Sequence, residues 1–286
     1  MANKINPKNI NSIHELFSPD KNSNILISDF GAQVLKYTNN GKEIFHYQQL
    51  NTRRSGMPIL FPFAGPLEDN TLDFTGTKFP QHGFARDVKW QIYEKTEGKN
   101  VNCNSISLIL SYEDLPVMWQ KAYPFPFMVI IHYYLSNNKL STEMVVLNPL
   151  QEDLQIPIKP GFHPYFAIPN NQKSQITFNQ SNKIPKSIDW QIPSNGYFFD
   201  DSKQKNSFVL DKNNILTTTS HKIFKISRPD KFYNLNINNL LVFWSEVGED
   251  FVCIEPITGS YNSINYNPIL VQKGQGYQFC YTIEIK

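Results

Sequence analysis

The sequence has few cysteines and no long apolar run. Its 286 residues include three cysteines, Cys103, Cys253 and Cys280, which are far apart and odd in number. A disulfide framework uses more closely spaced cysteines in a smaller chain, so we predict buried free thiols and a reducing, cytoplasmic compartment. No stretch approaches the roughly 20 apolar residues that span a bilayer, and residues 1–11 lack the apolar centre of a signal peptide. We therefore predict no membrane partner.

An excess of charge of one sign is also missing. The formal net charge is +2 at pH 7, and no block of like charges occurs. Nucleic-acid-binding proteins use basic patches to neutralise phosphates, so we predict no nucleic-acid partner. Helical periodicity is scarce too. The best helical pattern is the short segment Ile13–Phe17, with Ser12 as its N-cap.

Short β-prone segments follow one another along the whole chain. The turn sequence at 38–41, Thr-Asn-Asn-Gly, predicts a tight hairpin, and the polar stretch 200–214 predicts a loop or an edge hairpin. Many short strands separated by turns predict an all-β, mainly antiparallel sandwich or barrel. Since no linker divides the sequence, we predict a single domain, 1–286. The predicted strands are 24–35, 42–47, 88–93, 106–112, 127–135, 140–148, 175–179, 240–245, 251–255 and 277–285.

Two of the six histidines stand in distinctive local sequences. His82 lies in QHGFARD (81–87), and His163 lies in PGFHPYF (160–166). Glycine and proline fix the backbone and let a ligand approach closely, while aromatic side chains offer stacking faces to a sugar ring. The alternative is that both segments are tight turns with incidental histidines. His132, inside an apolar strand, is predicted to be a packed, hydrogen-bonded histidine. The remaining histidines have no companions in sequence and are His14, His46 and His221.

Glu255 ends the apolar strand FVCIE (251–255). A charge at that position is costly unless it is paired or belongs to a site that uses it. Burial would raise the pKa of its carboxyl group towards the value that a general base needs near neutral pH. The alternative is a carboxylate that points outwards at the strand end.

These three segments, in this order, resemble the aldose 1-epimerase family, and within it the branch with an HGFAR segment that includes hexose-6-phosphate mutarotases. The resemblance covers nearly the whole chain. It includes ISDFGAQV (27–34), GMPILFP (56–62), Asn148 followed by Pro157, and EPITG (255–259) with Asn262. Each motif is short, and their joint order and spacing carry the signal.

The resemblance implies a β-supersandwich that interconverts the α and β anomers of an aldose without metal or cofactor. His163 matches the family's acid, which protonates the ring oxygen. Glu255 matches the base, which removes the proton from the anomeric hydroxyl, and His82 matches a second, substrate-orienting histidine. The candidate substrate-binding residues are Arg86, Asn148 and Tyr165.

Anomerisation needs a proton donor and a proton acceptor at two oxygens on the same carbon. A facing carboxylate and imidazolium supply both, and acid–base catalysis of this kind gives roughly 10²–10⁴-fold per group. We therefore expect the pair to start as carboxylate plus protonated imidazole, with each charge supporting the other.

The sequence departs from the family at Pro66, where many relatives have an arginine that contacts substrate hydroxyls or phosphate. Arg86 could bind an anion or hydroxyl instead, or it could pair with Asp87. Lys121 and Lys159 could join Arg86 around a phosphate. Some relatives also use an aspartate in the interval before the glutamate, and four candidates stay open here: Asp200, Asp201, Asp211 and Asp230.

Three functions follow from these residues. The first is a mutarotase acting on a small-molecule sugar or sugar phosphate, as a monomer or homodimer. The second is a non-catalytic carbohydrate-binding protein with the same fold, and the missing arginine favours it. The third is a metal-dependent β-barrel enzyme with His82, His163 and Glu255 as ligands. The closely spaced histidine pair typical of such barrels does not occur in this sequence.

Overall fold

The computed structural model describes residues 12–48, 54–98, 102–149, 154–171, 240–246 and 248–285, together with the backbone of four strands between 177 and 227. The helices are α1 Val117–Ala122 and α2 Ser263–Tyr266, and short 3₁₀ turns lie at Glu68–Asn70, Ala85–Asp87 and Tyr112–Asp114. The strands are β1 Ile13–Phe17, β2 Ser23–Ser28, β3 Val34–Asn39, β4 Lys42–Glu43, β5 Ile59–Leu60, β6 Thr71–Leu72, β7 Thr77–Lys78, β8 Gln91–Thr96, β9 Asn104–Ser111, β10 Met128–Ser136, β11 Lys139–Leu147, β12 Ile156–Ile158, β13 Gly161–Phe162, β14 Tyr165–Ala167, β15 Thr177–Phe178, β16 Tyr197–Phe199, β17 Asn214–Thr217, β18 Ile223–Ser227, β19 Leu240–Trp244, β20 Phe251–Ile257, β21 Ile269–Val271 and β22 Gly276–Ile285.

Antiparallel sheets make up the described fold. The largest sheet has eight strands in the order β15-β17-β18-β22-β11-β10-β9-β8. A second sheet follows the order β16-β19-β20-β13-β5, and β14 also pairs with β20. A third sheet has the order β1-β2-β3-β4, and two small ribbons pair β12 with β21 and β6 with β7. The prediction of an all-β, mainly antiparallel fold is confirmed.

Local sequence explains the hairpins. Asn39 pairs with Lys42, so Asn40 and Gly41 form a two-residue turn, and both have positive φ angles of 48° and 71°. That is the conformation for which Asn-Gly is preferred, because glycine adopts it without steric cost. The turn predicted at 38–41 is confirmed.

The predicted helix at Ile13–Phe17 is wrong. The segment is strand β1, which pairs along its whole length with β2. The backbone N–H of Ser12 donates to Oδ1 of Asp29 at 2.9 Å, so Ser12 is not a helix cap. Five residues are too few for a stable isolated helix, whereas the neighbouring strand satisfies their backbone groups.

A continuous hydrophobic core joins the sheets. Residues of β10 alternate between buried and half-buried positions, as expected for a strand with one face on the core. Phe162 of β13 stacks on Phe279 of β22, with ring centroids 5.2 Å apart and planes 10° apart. Burying an aromatic side chain of this size contributes about 2 kcal/mol. This contact anchors the segment that carries His163.

The described residues contain no helix with the length and hydrophobicity needed to cross a bilayer. None of the three cysteines forms a disulfide; Cys253 is buried, and Cys103 and Cys280 are half-buried. The polar stretch 200–213, together with the four aspartates considered above and His221, lies outside the described residues.

Candidate active site

Strand pairing brings His163 and Glu255 together. β20 carries Glu255. It pairs with β13, which precedes His163 in the chain, and with β14, which follows His163. Nε2 of His163 lies 3.2 Å from Oε1 of Glu255, and the two side chains are 8% and 2% exposed. Glu255 therefore points inwards, and the alternative of an outward carboxylate is wrong.

His82 lies beside this pair in a fixed orientation. Its imidazole ring centroid is 5.3 Å from that of His163, with the rings nearly perpendicular at 84°. The backbone N–H of Gly65 donates to Nδ1 of the His82 ring at 2.8 Å. The backbone N–H of His82 donates in turn to the Gly65 carbonyl at 2.9 Å. Because Nδ1 accepts a hydrogen bond, the proton of the neutral ring is assigned to Nε2. Burial, aided by the charge of Arg86, holds the pKa of His82 well below 6.5, so the ring is a neutral hydrogen-bond donor.

The three side chains line one cavity of about 490 Å³. This volume lies within the usual range for small-molecule sites, which is roughly 300–1,000 Å³. The residues that line it are Arg54, Pro66, Gln81, His82, Arg86, His163, Tyr165, Trp244, Glu255 and Tyr261.

Aromatic rings form much of the cavity wall. Tyr165 stacks on His163, with centroids 4.7 Å apart and planes 13° apart. Trp244 meets His163 edge-on at 6.0 Å, and Tyr261 packs against Gly65, where it would overlap any Cβ atom. Rings of this kind can cover the apolar face of a sugar. Trp244 and Tyr261 were missed at the sequence level because neither stands in a motif of its own.

Two arginines contribute positive charge to the cavity. Nη2 of Arg86 donates to the carbonyl of Gln81 at 2.9 Å, and its charge lowers the pKa of His163 and opposes the rise in the pKa of Glu255. Arg54, which was also missed, forms an ion pair with Glu246. Pro66 lies on the wall as well, so the departure from the family falls inside the site.

Burial of both side chains opposes the predicted carboxylate–imidazolium pair. Burial lowers the pKa of His163 far below 6.5 and raises the pKa of Glu255 well above 4.5. Both side chains are removed from water, and desolvation disfavours the charged form of each. Burial therefore favours a neutral imidazole beside a protonated carboxyl group, with one transferable proton for the pair.

Asn148, which was predicted to bind substrate, lies outside the cavity lining. Its Nδ2 donates to the carbonyls of Leu154 at 2.6 Å and Val271 at 2.8 Å. It is 2% exposed and does not line the cavity. The side chain ties the end of β11 to β21. Arg86 and Tyr165, by contrast, do line the cavity.

The ligand set considered at the sequence level for a metal was His82, His163 and Glu255. In the described part of the chain, the group whose ligand atoms all lie within 4.8 Å of one another is instead His163, Cys253 and Glu255. His82 is excluded by position, and its Nδ1 is already hydrogen-bonded to Gly65.

Fold and site together define a β-sandwich protein with a buried histidine–carboxyl pair in an aromatic cavity. A sequence model described as aldose 1-epimerase matches residues 16–282. The chain therefore belongs to the aldose 1-epimerase family.

Solved structures agree on the fold. A protein from Synechocystis sp. PCC 6803 has a TM-score of 0.76 at 21% identity, covering 100% of this chain and 99% of that one. A galactose mutarotase related enzyme from Lactobacillus acidophilus has a TM-score of 0.73 at 19% identity, covering 96% and 97%. Galactose 1-epimerase from Lactobacillus acidophilus NCFM has a TM-score of 0.66 at 11% identity, covering 99% and 96%. The fold is thus the predicted galactose mutarotase-like β-supersandwich.

Proposed function

We propose that the protein is an aldose 1-epimerase that interconverts the α and β anomers of a hexose or hexose phosphate by acid–base ring opening. The observation that carries the proposal is the 3.2 Å contact between Nε2 of His163 and Oε1 of Glu255 inside the cavity. The anomeric hydroxyl oxygen and the ring oxygen are bonded to the same carbon. Two proton-transfer groups that act on both oxygens must therefore lie side by side.

In the proposed reaction, the Glu255 carboxylate accepts the proton of the anomeric hydroxyl while the His163 imidazolium protonates the ring oxygen. The bond between the anomeric carbon and the ring oxygen breaks, and a free aldehyde forms. Rotation about the adjacent carbon–carbon bond presents the other face of the aldehyde. Ring closure then reverses both proton transfers.

The protonation states that burial favours support this cycle. After ring opening, Glu255 holds a proton and His163 is neutral, which is the state that burial favours. The carboxylate–imidazolium state has the same net charge, and one proton transfer across the 3.2 Å contact connects the two. Each catalytic cycle can therefore proceed without adding a net charge to a buried site.

The neighbouring side chains fit the task of orienting a sugar. His82 offers its Nε2–H as a donor to a sugar oxygen, since its Nδ1 is held by Gly65. Tyr165 and Trp244 present ring faces and edges, and they exclude water from the developing charges.

Phosphorylated hexoses are included because Arg54 and Arg86 both line the cavity. A planar guanidinium group recognises phosphate oxygens in pairs. Lys121 and Lys159, which were considered as phosphate ligands, do not line it. This arrangement fits the HGFAR branch of the family, with Arg54 in place of an arginine at position 66.

The test measures the rate at which the two anomers interconvert. NMR monitors their anomeric proton signals, with and without enzyme, for hexoses and hexose 6-phosphates. The wild-type chain should accelerate exchange of at least one sugar. Glu255→Gln and His163→Ala should each lower kcat/KM by about 10²–10⁴-fold. His132→Ala is the matched control, since His132 bonds to Ser107 on the eight-stranded sheet, away from the cavity.

Wild-type exchange equal to buffer across the panel would overturn the proposal. Saturable sugar binding without exchange would instead identify a carbohydrate-binding protein. Circular dichroism of each variant separates loss of chemistry from loss of fold.

A further inference from the structure

The proposed reaction does not use Cys253. Cys253 precedes Glu255 by two residues on β20, so the two side chains lie on the same face of the strand. Across the strand pair, Cys253 lies opposite Tyr165, whose ring stacks on His163. The ligand atoms of Cys253, Glu255 and His163 all lie within 4.8 Å of one another, and all three residues are buried.

This donor set is one that zinc prefers. Zn²⁺ binds thiolate sulfur at about 2.3 Å and imidazole nitrogen or carboxylate oxygen at about 2.0–2.2 Å. A tetrahedral site with such bonds places neighbouring ligand atoms roughly 3.3–3.7 Å apart. The 3.2 Å between Nε2 of His163 and Oε1 of Glu255 is close to that spacing, and Sγ of Cys253, which lies within 4.8 Å of both ligand atoms, would complete the site by a small side-chain movement. Zinc sites with three protein ligands keep a fourth position for water or substrate.

A second observation points to a ligand at the same place. Oε2 of Glu255 is buried and has no hydrogen-bond partner among the described residues, although Glu255 lines the cavity. A buried carboxyl oxygen without a partner is costly, and coordination to a cation removes that cost. The thiolate and carboxylate would also neutralise the ion, which matters because the charge of Arg86 acts on the same carboxyl group.

We propose that His163, Cys253 and Glu255 form a site for a thiophilic divalent ion such as Zn²⁺, and that the bound ion inhibits the protein. The ion would occupy Nε2 of His163 and the Glu255 carboxylate, so neither group could transfer a proton. Inhibition rests on the proposed mutarotase function, whereas ion binding does not.

Binding is tested first, on the untagged, dialysed full chain, by calorimetric titration with Zn²⁺ and by absorption spectroscopy with Co²⁺. The double variant Cys103→Ser/Cys280→Ser keeps Cys253 as its one thiol. It should bind one ion and show a thiolate-to-cobalt charge-transfer band in the near ultraviolet. Cys253→Ser should weaken Zn²⁺ binding by at least about tenfold, and the matched control Cys280→Ser should leave it unchanged.

Equal affinity in Cys253→Ser and Cys280→Ser would overturn the site, as would Co²⁺ bound to the double variant without a sulfur band. Because the double variant retains Cys253, this second result decides the question even if Cys253→Ser fails to fold. In the activity arm, Zn²⁺ should slow anomer exchange by the wild-type chain, and a chelator should restore it. Cys253→Ser should stay active at a Zn²⁺ concentration that inhibits wild type. If no exchange occurs in any sample, the mutarotase proposal fails while the binding results still stand on their own.

Discussion

At the scale of single residues, the site depends on how deeply its ionisable groups are buried. His163 and Glu255 are in contact, yet burial disfavours the charged form of each. A surface pair at the same distance would remain ionised, because water would stabilise both charges. The site instead holds one mobile proton between two groups, which suits a reaction that moves one proton in each direction.

Gly65 supports this geometry through its backbone. It has a φ of +83°, and a Cβ atom there would lie 1.8 Å from Cδ1 of Tyr261. Gly65→Ala should therefore displace Tyr261 and disturb the N–H that fixes His82, lowering stability by about 2–4 kcal/mol and reducing kcat/KM. Chemical denaturation and anomer exchange measure the two effects.

Gly76→Ala is the matched control, because Gly76 also has a positive φ, of +64°, but nothing lies within 4 Å of its Cβ position. It should cost only about 1 kcal/mol and leave activity intact. Equal losses in both variants would mean that the Tyr261 contact is unimportant.

The sequence predicted which side chains converge but not their charge states. His82, His163 and Glu255 stand in distinctive motifs, so they were found, and they line one cavity. Trp244, Tyr261 and Arg54 come from ordinary sequence, and only the folded chain places them together. The sequence does not reveal how strongly burial opposes the ion pair, because depth of burial is set by tertiary packing, which a linear motif does not report.

At the scale of elements, β20 organises the site. It pairs with β13, β14 and β19, so Glu255, His163 and Trp244 meet on one sheet. β19 and β20 coincide with the predicted strands 240–245 and 251–255, whereas β13 and β14 are too short to have been predicted from their sequence. The helix expected at Ile13–Phe17 failed because five residues carry too little periodic signal, and pairing with β2 decided their conformation.

Asn148 gives a test at this scale. Because its amide joins the chain after β11 to the carbonyls of Leu154 and Val271, Asn148→Ala should lower the free energy of unfolding by about 1–3 kcal/mol. At a temperature where the variant is folded, kcat/KM should change less than about twofold, since nothing in the cavity is altered. Denaturant titration and anomer exchange check the two statements.

Asn22→Ala serves as the control, because the Asn22 side chain makes an exposed hydrogen bond to Asp20. A large rise in KM for Asn148→Ala, with normal stability, would restore the original substrate-binding interpretation.

At the scale of the whole molecule, the buried groups link stability to pH. Burial raises the pKa of Glu255 above 4.5 and lowers the pKa of His163 and His82 below 6.5. As pH falls below 6.5, the unfolded chain binds protons at these histidines that the folded chain does not, so stability falls. Above 6.5 both imidazoles are neutral in both states and add no further pH dependence.

The raised pKa of folded Glu255 creates a second pH window, in which the carboxyl group is protonated in the folded chain and ionised in the unfolded chain. The folded state therefore binds more protons, and stability should fall as pH rises, by up to about 1.4 kcal/mol per pH unit for one proton. Glu255→Gln removes this titration, so its stability should be flatter over the same range. Denaturant unfolding of both proteins at several pH values measures the difference, and parallel curves would contradict the assigned protonation state.

A crystal structure of the protein with a bound hexose would test most directly whether His163 and Glu255 act on the anomeric centre of a sugar. We expect a pyranose ring in the cavity, with its ring oxygen next to Nε2 of His163 and its anomeric hydroxyl next to the carboxyl group of Glu255. A sugar bound elsewhere on the surface, or one in the cavity with its anomeric carbon turned away from both side chains, would contradict it.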